Sequence, residues 1–270
     1  MQRHSFRSAG LTALAAAAVL TVTVSAQNPV TERMVQCSLV WAGHEDAIEK
    51  FLAEGKIEKM EAVPIGITKP MRATLEAGGP AARFTWKPLT PGYSKGYMES
   101  YKAEIAAYEL DRMLDLHMVP PIVERTISGR TGAAILWIEN AKGWSIKSPP
   151  QGPEPNWSLQ LTRMKMFDQL IANIDRNQGN LIYDDDWHLF LIDHSRAFID
   201  KKDLKGLAAL GRVDRQLWMK MQALTLDQLN QGLGEWVGDK EKKALLLRRD
   251  KMAEQIKQMV AKRGESVFYD

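Results

Sequence analysis

Asp175, Asn180 and Asp193 constrain this chain more than any other feature of its sequence. Asp175 follows the apolar run Leu170-Ile171-Ala172-Asn173-Ile174 and opens a polar loop, Arg176-Asn177-Gln178-Gly179-Asn180. Asp193 closes a second apolar run, Leu189 to Ile192. An acid emerging from a buried element can orient, or accept a proton from, an incoming hydroxyl. The amide oxygen of Asn180 and the carboxylate of Asp193 would then hold a metal ion against phosphates. Oxygen ligands suit magnesium or manganese, whereas zinc would want nitrogen or sulfur. An isolated Asp-Arg-Asn loop reads as a helix cap or turn. The triple spacing, with a strand before Asp193, argues for a phosphoryl-transfer site.

The chain upstream supplies partners in a consistent order. His44 to Gly55 has helical spacing, and strand-like pieces follow at Lys59 to Gly66, Met71 to Glu76 and Ala82 to Trp86. Thr68-Lys69-Pro70 and Gly78-Gly79-Pro80 are turn-formers between them. Glu99 to Leu116 carries an apolar helical stripe, stopped by Pro120-Pro121. Ile122 to Ile127 and Ala133 to Ile138 read as strands around Ser128-Gly129-Arg130. Gly143 to Pro155 is a long loop, and Trp157 to Ala172 a helix that feeds into Asp175. Beyond Asp193 the pattern is helical: Val213 to Ala223, Thr225 to Val237 and Asp239 to Lys262. The charge run Lys240 to Arg249 reads as the solvated face of the last helix. The fold class expected is α+β, with a small sheet-plus-helix lobe over residues 44–140 and a mostly helical large lobe over 141–270.

Lys87 ends its strand and can reach the α- and β-phosphates of a nucleotide if an acid holds it extended. Glu104 on the following helix is the expected partner, with Glu109 as second choice. On these two residues alone, ordinary surface charges would be the better reading. Ile138-Glu139-Asn140 follows the last strand of the small lobe, where hinge backbone groups, at Glu139 above all, would meet adenine. Gly66 and Thr68 occupy the place of a phosphate loop. His188, beside Trp187 in an Asp-rich turn, and His194 are read as structural. Arg196 can touch phosphates or stabilise Asp175.

Glu104-Ile105-Ala106-Ala107-Tyr108-Glu109-Leu110-Asp111-Arg112-Met113-Leu114 and Val119-Pro120-Pro121-Ile122-Val123 resemble the small-lobe helix and strand of the secretory-pathway kinases. That is the family of the Golgi casein kinase and the glycan xylose kinase. Asp175 to Asn180 and Ile192-Asp193 are similar to its catalytic loop and metal aspartate. More distantly, they resemble the phosphatidylinositol kinases and bacterial toxin kinases. The resemblance spans Ile65 to Phe198 and implies a two-lobed, protein-kinase-like fold with ATP in the cleft. It implies Lys87 as nucleotide lysine, Glu104 as its partner, Asp175 as acid/base and Asp193 as metal ligand. Ile65-Gly66-Ile67-Thr68-Lys69-Pro70 departs from a glycine-rich loop, and His194-Ser195 from the Phe-Gly that follows the metal aspartate in ordinary kinases.

Arg3 and Arg7, the apolar Leu11 to Val24 and the small residues Val24-Ser25-Ala26 make residues 1–26 a secretory signal, with 27–43 a flexible lead-in. The alternative is an uncleaved anchor; no stable membrane insertion is expected after cleavage. The protein is therefore expected to be exported, periplasmic or secreted. Removing two arginines and no acid lowers the formal net charge from +3 to +1, which argues against nucleic acid as partner. The single cysteine, Cys37, cannot form an intrachain disulfide. The expected function is transfer of the ATP γ-phosphate to a hydroxyl on a protein, glycan or lipid headgroup. The alternatives are a nucleotide-binding pseudokinase, AMP transfer on the same fold, and a solute-binding domain.

Overall fold

An unbroken apolar run along β7 (Arg130–Leu136), buried from Gly132 to Leu136, explains the centre of the molecule. Ala134 and Leu136 join one apolar cluster, while Ala133 and Ile135 join the other, so this strand is buried on both faces. It lies fourth in an antiparallel five-stranded sheet of order β1-β2-β3-β7-β6, where β1 is Ile57–Ala62, β2 Met71–Leu75, β3 Arg83–Lys87 and β6 Ile122–Ile127. The computed structural model describes residues 41–63, 70–145 and 147–269. The expected signal, nearly all of the lead-in, and Gly66 and Thr68 lie outside the described residues.

Helix α1 (Glu45–Glu54) covers one face of the sheet through Ile48 and Leu52, which share a cluster with Phe84 and Trp86. On the other side lies α2 (Tyr101–Leu114), started by Ser100, whose hydroxyl accepts from the Lys102 amide. Ala103, Ala106 and Ala107 are buried, and small side chains there let the helix approach the sheet closely. A hairpin precedes it, β4 (Gly92–Ser94) and β5 (Tyr97–Glu99), which the sequence pattern did not predict. Its strands are three residues each and largely exposed, so they carry little periodic signal.

The remainder is mainly helical: α3 (Asn156–Ile171), α4 (Arg215–Ala223), α5 (Leu226–Leu233) and α6 (Asp239–Arg263). Between α3 and α4, β9 (Leu181–Tyr183) and β10 (Leu189–Leu191) form a hairpin extended by β8 (Lys142–Gly143). Two short strands, β11 (Val213–Asp214) and β12 (Phe268–Tyr269), pair in parallel. No described helix is long and apolar enough to cross a membrane.

The sequence predicts a solvated face for the Lys240 to Arg249 charge run on α6, but two of its charges are taken inside. Lys242 and Arg248 are buried, Leu245 is buried and Leu247 is exposed. Arg248 donates to the carbonyls of Leu170, Ile199 and Lys201, gathering the end of α3 and the segment after Asp193. Burial holds its guanidinium down to about 10. A charge in a helix is taken inside when its donors meet orphan carbonyls at another helix end.

Candidate active site

Lys87 leaves the end of β3 and is buried among carboxylates. Its Nζ lies 2.9 Å from Glu104 Oε1 and 3.1 Å from Asp193 Oδ1. Burial alone would depress the ammonium, but the two facing carboxylates outweigh it and hold Lys87 above its ordinary value. Glu109 is not the partner of Lys87. Glu104 is almost wholly buried on α2, and its second oxygen accepts from the His194 amide at 2.8 Å. Burial pushes the Glu104 carboxyl up, against the pull of Lys87.

Asp193 has φ of +60°, a left-handed conformation that aspartate tolerates better than most residues. The chain turns there, and the Ala197 amide closes the turn on His194 O at 2.9 Å. Burial resists ionisation of Asp193, but Lys87 and the Ser195 hydroxyl together bring its carboxyl down to about 2. Both bond the same oxygen, Oδ1, so Oδ2 has no hydrogen-bond partner among the described residues.

The loop that carries Asp175 is organised by Arg176. Its Nε and Nη2 grip the two oxygens of Asp168 at 2.9 and 3.1 Å, and Nη1 donates to the carbonyls of Asn180 and Ile192, each at 2.8 Å. Nη2 also meets His194 Nε2 at 2.8 Å. A guanidinium only donates, so Nε2 accepts and the imidazole proton sits on Nδ1. Burial, with Arg176 beside it, holds His194 well below its usual range and therefore neutral. All five Arg176 donors are engaged, which fastens the Asp175 loop to α3 and to the strand that delivers Asp193.

Asn173 completes the frame, donating to Asp168 at 3.0 Å and accepting from the Asp175 amide at 3.1 Å. Asn180 donates its side-chain NH₂ to Asp175 O at 2.9 Å, which leaves its amide oxygen available. The Asp175 carboxylate itself is 40% exposed and meets Arg196 Nη1 at 2.9 Å. Arg196 in turn donates Nε to the buried Glu99 at 2.8 Å, and its guanidinium stacks 4.5 Å over the Tyr97 ring.

Thus Lys87, Glu104, Asp193 and Asn180 are gathered around one turn and one loop, with Asp175 at their open edge. Glu139 stands apart from them: its carboxylate is taken by Arg83, so only its backbone is left for a hinge role. The functional frame missed by sequence reasoning is Asp168, Asn173, Glu99 and the hub role of Arg176. Asp168 gave one signal, an acid inside the apolar Phe167-Asp168-Gln169-Leu170, two turns before Asp175.

The donor types would suit a hard divalent cation: Asp193 Oδ2 and Asn180 Oδ1 are oxygens with no hydrogen-bond partner among the described residues, and the Asp193 carboxyl is held down to about 2. A second group, Asp184, Asp186 and His188, brings three ligand atoms within 4.8 Å of one another in the β9–β10 turn. There Asp184 accepts from both the His188 amide and its Nδ1, at 2.8 Å each, which accounts for the acid as a turn-former.

A five-stranded sheet with a lysine facing a helix glutamate, set against a helical part with an Asp loop and an Asp turn, is the two-lobed, protein-kinase-like fold of the atypical kind. The fold is shared with solved structures. The Golgi casein kinase with Mn/ADP bound superposes with a TM-score of 0.63 at 14% identity, over 83% of this chain and 78% of that one. Hydra Fam20 with sugar superposes with a TM-score of 0.60 at 16% identity, over 89% of this chain and 97% of that one. No protein-family profile matches the chain, and no curated protein matches it in sequence.

Proposed function

We propose that this protein is an exported, metal-dependent kinase of the atypical kind, moving the γ-phosphate of ATP to a hydroxyl of a protein, glycan or lipid headgroup. The observation that carries the reading is the Lys87 ammonium held between Glu104 and Asp193. A lysine so fixed is a point charge for α- and β-phosphate oxygens, with no reorganisation needed on binding. In the reaction the bond from the γ-phosphorus to the β,γ-bridging oxygen breaks, and that oxygen keeps the electron pair as ADP leaves. The acceptor oxygen bonds to phosphorus, and its proton passes to Asp175. A magnesium or manganese ion at Asp193 and Asn180 would neutralise phosphate charge.

The two named neighbours support the reading: the Golgi casein kinase was solved with Mn/ADP and hydra Fam20 with sugar. Export rests on the basic start and apolar run of residues 1–26. The test is metal-dependent ATP binding and hydrolysis by the chain from Gln27 onward, beside Asp175→Ala and Asp193→Ala. The expected result is binding lost with Asp193 and turnover lost with Asp175. Binding without turnover, with any acceptor class, would make it a pseudokinase; no binding with either metal would end the nucleotide reading.

A further inference from the structure

Two arginines border the Asp175 loop, and they differ in one countable respect. Arg176 engages all five of its N–H donors with protein atoms. Arg196 engages three: Nε and one Nη2 hydrogen with Glu99, and one Nη1 hydrogen with Asp175. One hydrogen on each terminal nitrogen is left without a partner among the described residues. We infer that Arg196 forms a phosphoryl-oxygen subsite, its two free N–H groups donating to non-bridging oxygens of the group in transfer while Asp175 receives the acceptor. The inference rests on the kinase reading of the same site.

The clamp around Arg196 fits such a task better than simple charge balance. Glu99 is buried at the end of β5 and holds the Nε edge, and the Tyr97 ring covers one face at 4.5 Å. The Ser100 amide donates to Ser195 O at 2.9 Å, pinning the same hairpin to the turn that carries Arg196. The guanidinium is therefore fixed before substrate arrives, and fixed donors are the ones that stabilise developing charge. Apart from the Arg176–Asp168 pair, the described residues of these linked ion pairs are four carboxylates, Glu99, Glu104, Asp175 and Asp193, and two cations, Lys87 and Arg196. Lys87, fixed between two acids, serves the α- and β-phosphate oxygens rather than the group in transfer. A polyanionic phosphate arriving beside Asp175 thus has Arg196 as the protein cation able to meet it, and a planar fork with paired donors matches phosphoryl oxygens.

The experiment compares binding of ADP with binding of ADP–aluminium fluoride, together with ATP hydrolysis, in the mature chain and in Arg196 variants with magnesium present. Arg196→Ala is paired with Arg196→Ala/Glu99→Gln, which removes the stranded buried acid, and with Arg196→Lys, which keeps a charge but not the fork. The inference expects ADP affinity within about twofold of the parent, with aluminium fluoride complex affinity and kcat both falling about 10²–10³-fold in every variant that loses the fork. Equal losses for ADP and for the aluminium fluoride complex, or full rescue by lysine, would make Arg196 a structural counter-ion and overturn it. An unchanged kcat would do the same while leaving the kinase reading intact. A parent protein that binds neither ligand would remove the kinase reading, and this inference with it.

Discussion

The ammonium of Lys87 stands 2.9 Å from the carboxylate of Glu104, across a contact from which water is nearly excluded. Removing one member of such a pair costs more than removing both, because the survivor is left buried and uncompensated. Lys87→Met is expected to destabilise the protein by about 3–5 kcal/mol. Lys87→Met/Glu104→Gln, which removes the buried charge but keeps an acceptor for the His194 amide, should recover part of that stability while leaving nucleotide affinity abolished. Urea unfolding beside ATP binding separates the two effects. A double variant as unstable as the single one would refute the pairing argument.

Asp168 has the same relation to Arg176, but its consequence should be catalytic geometry as well as stability. Asp168→Ala leaves the buried guanidinium without its bidentate acid and is expected to cost about 3–5 kcal/mol. Arg176→Lys keeps the charge and loses the fork that spans Asp168, Asn180, Ile192 and His194. That variant should fold, bind nucleotide within a few-fold of the parent, and lose turnover by about 10²-fold through misplacement of Asp175. Measuring kcat separately from nucleotide affinity checks it.

The parts of this site that were legible in the sequence are those set by chain order. Lys87 at a strand end, Glu104 on the next helix, and Asp193 after an apolar strand each follow from local periodicity plus a polar interruption. The strands and long helices were located within a few residues for the same reason. What was not legible depends on contacts across the fold. Asp168 and Arg176 are ordinary charges until α3 and the Asp175 loop are seen together, and Glu99, where the sequence pattern starts a helix, ends a hairpin. The α6 charge run misled because periodicity reports which face is apolar. It does not report that Arg248 finds carbonyls to satisfy it.

Gly132 lies in β7 where the chain passes the end of β3. A Cβ there would stand 2.5 Å from both the Lys87 carbonyl oxygen and Pro88 Cα, closer than real contacts allow. Backbone must move to admit it, and the backbone concerned is the one that aims Lys87. Gly132→Ala is expected to weaken ATP binding by about tenfold and to lower stability by about 1–3 kcal/mol, the cost of overpacking a close approach. Gly129→Ala, in the exposed turn before β7 with nothing within 4 Å, serves as the comparison. Its φ of +75° penalises stability, but it should leave nucleotide affinity unchanged.

The acid limb of stability should carry the signature of Asp193. Its carboxyl is brought down to about 2 in the folded protein, against an ordinary value of 3.8. Between those values the unfolded chain binds more protons than the folded one, so stability rises with pH through that window. The contribution is fully present above about pH 4 and is lost as pH falls through about 2. Because a third of the side chain is exposed, solvent screening trims the contribution to on the order of 1–2 kcal/mol. Asp193→Asn has no carboxyl to titrate, so the stability gap between it and the parent should shrink as pH drops from 4 toward 2. Denaturant unfolding of both proteins at intervals through that range reads the gap directly. A gap that stays constant would mean that Lys87 does not hold Asp193 ionised, and the charge arrangement at the centre of the site would have to be redrawn.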